Sequence, residues 1–264
     1  MQSVDPSFDI VDRTRAELAD LIDLQMAPLG LAAINALGPM QGKTILDVGC
    51  GAGQTTLQLA ERAGNSGRVV GVDIAPAVLM VARARSNHLP AVSLQQADAA
   101  QLSLPDQSVD FVYSRFGVMF FADPIHAFGN LRRMLRSGGR IGFVCWRSIQ
   151  ENELDFLPLE AAGLALRDAP HISFEQPSFI KEVLCAAGFD KITIDPFDAE
   201  VSCGDIDKTL EVVTQVGALG KALRDTPDMR TVVEPRVRAA LAERANSGRV
   251  SLNAATWIVT ALKA

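Results

Sequence analysis

The stretch Leu46-Asp47-Val48-Gly49-Cys50-Gly51-Ala52-Gly53 decides the fold class of this chain. It joins an apolar run that starts at Thr44 to three glycines spaced two residues apart, and an amphipathic segment follows at 54–63. Glycine permits sharp turns and close backbone approach to a ligand, and the first turn of a helix offers unpaired N–H groups. The stretch therefore predicts a strand, a glycine loop and a helix, with a nucleotide-like ligand at the carboxyl end of the strand.

Apolar runs and amphipathic segments alternate through the central part of the chain. Strands are predicted at 44–48, 68–72, 92–96, 109–113 and 140–146, and helices at about 54–63, 76–87 and 123–136. Asp123 and Pro124 suit the start of the last of these helices, and Gly138-Gly139 suits its end. The alternation predicts an α/β fold, a Rossmann-like, mostly parallel sheet with helices on both faces.

The flanking regions are predicted to be mainly helical. Helices are expected at 8–37, at 151–167 before a loop at 168–171, around 179–184, around 206–216 and around 237–241; strands are expected at 191–197 and 254–262. We expect four parts: an N-terminal helical cap or lid at 1–40, a core at 41–146, a cap insertion at 147–176 and, at 177–264, a C-terminal completion of the core with extra helices.

Composition bounds the class of protein. The chain has 264 residues, 48% of them hydrophobic, and a formal net charge of −6, which argues against non-specific nucleic-acid binding. The longest apolar run, 116–122, is too short to span a bilayer, and the N-terminus has no secretory pattern, so we expect a soluble cytoplasmic protein. The cysteines at 50, 145, 185 and 203 lack metal-ligand spacing, which predicts no metal site and four buried or half-buried free thiols.

The glycine spacing and two later acids narrow the ligand. The dinucleotide fingerprint places its third glycine at the sixth position, where this chain has Gln54. Asp73 ends the second strand and can accept both hydroxyls of a ribose, and Asp98 follows the third strand, where it can accept from an adenine amine. Each acid alone is equally explained as a helix N-cap or a solvated loop residue. Together with Asp47 they end three strands of one sheet, which favours a ligand site.

Five segments resemble the motifs of the class I S-adenosylmethionine (SAM)-dependent methyltransferases. They are Ile45–Gly53, Val72-Asp73-Ile74, Asp98-Ala99, Leu104–Phe111 and Leu131–Gly139. Within this family the chain is most similar to the UbiE-like small-molecule methyltransferases, and the stretch 114–124 is typical of one bacterial branch. The resemblance implies a seven-stranded sheet with an antiparallel last strand, SAM as cofactor and S-adenosylhomocysteine as product.

The resemblance also implies a set of cofactor residues, all at the carboxyl ends of the first four strands: Asp47, Gly49, Cys50, Gly51, Gly53, Asp73, Ile74, Asp98, Ala99 and Ser114. In the family pattern, Gly49 and Gly51 bring the backbone against the methionine part of SAM. Asp47 orients that loop near the amino group, and the carbonyl of Ser114 contacts the same end.

At the nucleoside end, the resemblance assigns the ribose hydroxyls to Asp73 and the adenine face to Ile74. Asp98 would accept from the adenine amine, and the Ala99 N–H would face a ring nitrogen.

Candidates for binding the methyl acceptor follow the fourth and fifth strands. Arg115 can hold an anionic group, or it can form a salt bridge to a nearby acid. Four apolar residues can line an acceptor pocket or pack in the core: Phe116, Met119, Phe120 and Trp146. His126 and His171 are candidate general bases because the pKa of histidine lies near neutrality.

The predicted function is methyl transfer from SAM to an oxygen, nitrogen or carbon of a small, partly apolar molecule, by a monomer or homodimer. A non-catalytic SAM-binding or scaffold subunit is the alternative. An NAD(P)-dependent oxidoreductase is a third hypothesis, which Gln54 disfavours; so does the lack of a Tyr-x-x-x-Lys pair, since Tyr113 is the only tyrosine.

Overall fold

A computed structural model describes residues 6–165 and 173–264 of the chain. Its helices are α1 (Pro6–Glu17), α2 (Ala19–Leu37), α3 (Gln54–Ala63), α4 (Pro76–Ser86), α5 (Pro124–Met134), α6 (Glu153–Ala162), α7 (Pro177–Ala186), α8 (Ile206–Gln215), α9 (Gly217–Asp225) and α10 (Arg230–Glu243). Its strands are β1 (Thr44–Val48), β2 (Arg68–Asp73), β3 (Val92–Gln96), β4 (Val109–Arg115), β5 (Leu135–Trp146), β6 (Asp190–Gly204), β7 (Ala245–Asn246) and β8 (Arg249–Leu262). None of the helices in these ranges is both long and apolar enough to cross a membrane.

The strands form one mixed sheet in the order β3-β2-β1-β4-β5-β8-β6, with β7 paired to β8. The pairs β3–β2, β2–β1, β1–β4 and β4–β5 are parallel, and β8 runs antiparallel to β5. This confirms the predicted mostly parallel α/β sheet with an antiparallel last strand. The additional strand β7 has two residues, too few to show any alternation in the sequence.

The periodic pattern locates the central elements closely. β1, β3 and α3 have the predicted bounds, and β2 and β4 are longer than predicted by one and two residues. The predicted N-terminal helix is two helices separated at Leu18, and Gly38, with a φ of +85°, follows the second. α6 is shorter than predicted, because Gly163 ends it in the left-handed conformation. β6 and β8 are longer than predicted, and the predicted loop at 168–171 lies outside the described residues.

The prediction that Gly138-Gly139 ends α5 is wrong. The helix ends at Met134, and Leu135 already has extended backbone and begins β5. Lys263 explains this early end, because its ammonium donates to the carbonyl oxygens of Leu135 at 2.6 Å and Arg133 at 3.3 Å. The Gly138 N–H also donates to the Lys263 carbonyl at 2.8 Å. The contact with the far end of the chain thus acts at this boundary together with the N–H groups of Gln107 and Ser108, which donate to the carbonyls of Arg133 and Met134.

The chain divides into two compact units. The first contains Met1–Pro28, Arg147–Ile172 and Asp198–Ala255, and the second contains Leu29–Trp146, Ser173–Phe197 and Thr256–Ala264. In the first unit, Glu153 pairs with Arg244 and accepts from the Asn253 N–H at 3.1 Å. In the second, the rings of Phe128, Phe143 and Phe174 meet at centroid distances of 5.6–6.3 Å and fill the core.

The four cysteines are free, but not all are buried as expected. Cys50, Cys145 and Cys203 are buried, and burial raises the pKa of all three thiols. Cys185 is exposed, so the expectation is wrong there. α7 turns its apolar stripe of Ile180, Val183 and Leu184 inward, which leaves position 185 on the outer face.

Candidate functional site

The glycine loop leaves β1 and turns back onto β2. The N–H groups of Gly49 and Cys50 both donate to the carbonyl oxygen of Val72, at 2.9 and 3.0 Å. Gly53 precedes α3 and packs against α4, where an added Cβ would lie 2.9 Å from the Cβ of Ala82. The loop is therefore fixed at both ends by neighbouring elements of the second unit.

Two glycines of this loop meet different surroundings. Gly49 has a φ of +69°, and a Cβ there would lie 2.9 Å from the Cα of Gly117, so the segment after β4 approaches the loop closely. Gly51 has a φ of +53°, and a Cβ there would meet no described atom within 4 Å. The backbone at Gly51 thus faces open space, as a ligand-binding loop requires.

Asp47 lies beneath the loop and is fully buried. Its Oδ2 accepts from the hydroxyls of Thr55 at 2.8 Å and Thr56 at 2.7 Å. Its Oδ1 has no hydrogen-bond partner among the described residues. Burial raises the pKa of Asp47 to about 6, although the two hydroxyls and the charge of Arg115 oppose this rise. A buried carboxylate oxygen without a partner suits a ligand that brings a positive charge or an N–H donor.

Asp73, at the end of β2, holds the loop from the other side. Its Oδ2 accepts from the Gly51 N–H at 2.8 Å, and its Oδ1 accepts from the Ala75 N–H at 3.0 Å. Each carboxylate oxygen can accept a second hydrogen bond, so capacity for two ribose hydroxyls remains. The side chain of Ile74, the next residue in the chain, is 52% exposed.

Asp98 follows β3 and caps a short 3₁₀ turn, Ala99–Gln101. Its Oδ1 accepts from the Ala100 N–H at 2.9 Å, so the N-cap considered for this acid is present. Ala99 is buried, whereas Asp98 is exposed at the same edge of the sheet as Asp73. The cap uses one oxygen once and leaves the carboxylate able to accept further donors.

The end of β4 is tied to β1 by Ser114. The Ser114 hydroxyl donates to the Val48 carbonyl at 2.8 Å and accepts from the Gly117 N–H at 3.1 Å. Arg115 donates to the Gln54 Oε1 at 2.5 Å, which anchors its guanidinium at the start of α3. The side chain of Gln54 is therefore a close partner of the arginine.

Two half-buried rings stack at the ends of β4 and β5. Phe116 and Trp146 have centroids 4.0 Å apart and planes 11° apart. Phe116 adopts a φ of +61°, which is uncommon for a residue with a side chain, and its N–H donates to the Val144 carbonyl at 3.0 Å. Strained backbone of this kind concentrates at functional sites.

The other predicted acceptor and base residues differ in exposure. Met119 is 6% exposed and packs in the interior, whereas Phe120 is 68% exposed. His126 is exposed in the first turn of α5, and its N–H donates to the Asp123 carboxylate at 3.0 Å. His171 lies outside the described residues.

The sequence did not single out several residues that shape this site. Thr55 and Thr56 bind Asp47, and Gly117 lies against Gly49. Two hydroxyls opening the helix after a glycine loop are a usable pattern, since they follow the acid at a fixed distance in the chain. The close approach of Gly117 has no such pattern, because it depends on the pairing of β1 with β4.

Comparison with known proteins identifies the family. A family model described as a methyltransferase domain matches residues 46–143. The chain is 33% identical over 165 residues to the aklanonic acid methyltransferase DauC of Streptomyces sp. (strain C5), covering 62% of this chain and 71% of the relative. It is 34% identical over 202 residues to a demethylmenaquinone methyltransferase of Thermus thermophilus, covering 70% and 88%. The chain belongs to the UbiE-like class I SAM-dependent methyltransferases.

A solved structure agrees with the fold. A SAM-dependent methyltransferase from Aquifex aeolicus matches with a TM-score of 0.54 at 17% identity, covering 97% of this chain and 99% of that one. The described residues also fit the cofactor of the family. The Asp47 Oδ1 offers an acceptor for the ammonium of SAM, Gly51 leaves room for its methionine part, and Asp73 offers acceptors for its ribose.

Proposed function

We propose that this enzyme transfers the methyl group of SAM to an oxygen, nitrogen or carbon of a small, partly apolar organic molecule. The observation that carries the proposal is the stacked pair Phe116–Trp146, half-buried at the ends of β4 and β5. Gly117, the residue after Phe116, lies against Gly49, so Phe116 is next in the chain to the segment that borders the glycine loop. Two relatives are named for aklanonic acid and demethylmenaquinone, and we extend a small-molecule acceptor to this chain from them.

In this proposal the cofactor is held along the edge of β1, β2 and β3. Asp47 and the backbone of Gly49–Gly53, Cys50 included, face the methionine part, and the Ser114 carbonyl lies at the same end. Asp73 binds the ribose, and Ile74, Asp98 and Ala99 bind the adenine. When bound, SAM supplies a methyl group that its own sulfonium charge activates.

The work left to the protein is positioning. A nucleophile held in line with the transferred methyl group gains much of its rate from its high effective concentration. The stacked rings offer a flat apolar surface of the kind that holds a planar or alkyl portion of an acceptor and excludes water from it. Phe120 adds an exposed ring after β4, whereas the burial of Met119 favours a packing role. The Arg115 guanidinium donates to Gln54, and we propose that it also binds an anionic group of the acceptor.

A general base is required only if the acceptor atom carries a proton that must leave. His126 and His171 stay the candidates for this role. The pH dependence of the methyl-transfer rate, measured for His126→Ala, His171→Ala and the unaltered enzyme, tests both residues. The variant whose profile loses an inflection near neutral pH identifies the base.

We further propose a bacterial, cytoplasmic enzyme, monomeric or homodimeric, whose partner is its small-molecule acceptor and not a nucleic acid. The formal net charge of −6 supports the exclusion of nucleic acid.

The experiment is methyl transfer from SAM to a panel of small acceptors. The panel contains phenols, quinols, amines and activated carbon acids, and the readout is S-adenosylhomocysteine release with mass spectrometry of each product. We expect transfer to at least one partly apolar class of acceptor, and we expect Phe116→Ala to raise the KM for that acceptor at least tenfold. SAM binding by calorimetry without release for any acceptor would favour the non-catalytic alternative, and NADH binding in place of SAM would favour the oxidoreductase.

A further inference from the structure

Two residues of α5, Asn130 and Arg133, form a side-chain network with the turn after β3. Neither is among the predicted cofactor residues. The Asn130 Nδ2 lies 3.3, 3.2 and 3.0 Å from the carbonyl oxygens of Ala99, Ala100 and Leu102. Its Oδ1 accepts from Arg133, from Nε at 3.1 Å and from Nη2 at 3.0 Å. One amide thus connects a helix to three carbonyls of the opposite segment.

Arg133 completes the network and fixes the amide. Its Nη1 donates to the Leu104 carbonyl at 2.9 Å and pairs with Asp106, and its Nη2 contacts the Leu102 carbonyl at 3.4 Å. A guanidinium only donates and a carbonyl only accepts, so the amide of Asn130 has a single orientation that satisfies both sides. Asn130 and Arg133 together contact five residues of the segment between β3 and β4, which contains no strand or α-helix: Ala99, Ala100, Leu102, Leu104 and Asp106.

The held segment carries the groups proposed to meet the adenine. The turn Ala99–Gln101 is three residues long, and besides its bonds to Asp98 it has a long one of 3.4 Å from the Leu102 N–H to the Ala99 carbonyl. A 3₁₀ turn of this length is weak by itself, so its position depends on what it is attached to. The clamp on the Ala99 carbonyl therefore also fixes the direction of the Asp98 carboxylate and of the Ala99 N–H.

We propose that Asn130 and Arg133 are positioning residues that make this edge selective for adenine. The inference rests on the proposed placement of SAM. Adenine presents an amino donor beside a ring-nitrogen acceptor, which match a carboxylate and an N–H. Hypoxanthine presents an oxygen acceptor beside a ring N–H, which reverses both and places like groups together. Discrimination between the two bases needs both protein groups held in place, since a site that can shift relaxes the mismatch.

The test compares the binding of S-adenosylhomocysteine and S-inosylhomocysteine by calorimetry. The full-length enzyme is expected to prefer the adenine compound. Asn130→Asp keeps the size of the side chain but replaces its donor with an oxygen that faces three carbonyls, and we expect the preference to fall about tenfold. Arg133→Lys loses the paired contact to the amide and should lower the preference in the same direction.

The matched control is Arg132→Ala. Arg132 lies on the same helix, and its Nε donates to the Gly188 carbonyl at 2.7 Å, away from the held segment. This variant should keep the preference of the unaltered enzyme. Thermal melting of every variant separates loss of fold from loss of selectivity, and Arg133→Lys serves if Asn130→Asp does not fold.

Two results are decisive against the inference. If Asn130→Asp and Arg133→Lys weaken both compounds by one common factor and keep their ratio, the network only stabilises the fold. If the unaltered enzyme binds S-adenosylhomocysteine but shows no preference between the bases, the edge is not selective. Failure of the unaltered enzyme to bind either compound would instead overturn the proposed placement of SAM.

Discussion

At the scale of single residues, Asp47 and Gly51 define the site in opposite ways. Asp47 is a buried carboxyl with its Oδ2 bound by two hydroxyls and its Oδ1 without a partner among the described residues. Gly51 is a backbone position with open space where a side chain would lie. One supplies charge and the other supplies room, and each role leads to its own experiment.

The first prediction concerns the pH dependence of SAM binding. Burial raises the pKa of Asp47 from its usual 3.8 to about 6 in the ligand-free chain. Below pH 6 the folded carboxyl is protonated, and a cationic ligand must displace that proton. We expect SAM affinity to fall by up to tenfold per unit as the pH drops from 6 to 5, and to level off above 7. Calorimetry from pH 5 to 8 measures this slope.

Asp47→Asn is the control for this slope. The variant has no titrating group at this position, so its weaker SAM binding should be nearly independent of pH in the same range. The raised pKa of Asp47 also makes the stability of the fold depend on pH. Between about pH 4 and 6 the folded chain holds a proton that the unfolded chain has released. The free energy of unfolding without ligand therefore contains a component that decreases with rising pH, and the asparagine variant lacks it. An unaltered pH slope in Asp47→Asn would assign the titration to another group.

The second prediction is Gly51→Ala, matched with Gly138→Ala. Both glycines have positive φ, +53° and +75°, and at both a Cβ would meet no described atom within 4 Å. Each change should cost about 1 kcal/mol in the free energy of unfolding. Only Gly51→Ala should also weaken SAM binding, by at least tenfold, because its methyl group enters the proposed place of the methionine part. Equal affinity in the two variants would move the ligand away from Gly51.

At the scale of elements, the end of α5 is in contact with Lys263, the residue that follows the last strand. Lys263 binds the carbonyls of Arg133 and Leu135 and is almost fully buried. Without the ammonium the Leu135 carbonyl would lose a buried donor, which is costly, whereas the Arg133 carbonyl would keep the Gln107 N–H at 3.1 Å. Lys263→Met, which keeps most of the side-chain volume, should lower the free energy of unfolding by about 1–3 kcal/mol in urea denaturation. Lys181→Met, on the exposed face of α7, should change it by less than about 0.5 kcal/mol.

The same contact shows what the sequence can and cannot predict. β1 and β3 have their predicted bounds because local residues are enough to define each strand: β1 is a short run buried almost throughout, and β3 is a short run between turns. The end of α5 was predicted from a glycine pair, and the contact that moves it involves residues about 130 positions away. The acids at the strand ends could be predicted as a group because parallel strands bring their carboxyl ends to one edge. Asn130 was not, since an asparagine within a helix has no pattern that indicates which carbonyls it reaches.

At the scale of the whole molecule, the region that matches the family model is shorter than the region needed to complete the sheet around β5. The family match covers 46–143, yet β5 pairs with β8 from Arg140–Leu262 to Trp146–Thr256. A chain that ends at 146 leaves the inner strand β5 with an unpaired edge and exposes the buried Phe143 and Val144.

A fragment of residues 29–146 should therefore fail to fold cooperatively, although it contains every residue proposed to bind SAM. Circular dichroism on heating and size-exclusion chromatography, against the full chain, measure this. A sharp thermal transition together with SAM binding in the fragment would show that β8 is dispensable.

Phe116 has a consequence for attempts to engineer this enzyme. Its left-handed backbone costs about 1 kcal/mol that a glycine would not incur, while its ring stacks on Trp146. Glycine at position 116 would relieve that strain but would also remove the ring stacked on Trp146, so its melting temperature reports two opposing effects. A small change in melting temperature at this position can therefore hide the loss of the surface on which we propose that the acceptor rests, so selection here has to be scored on turnover and on melting temperature together.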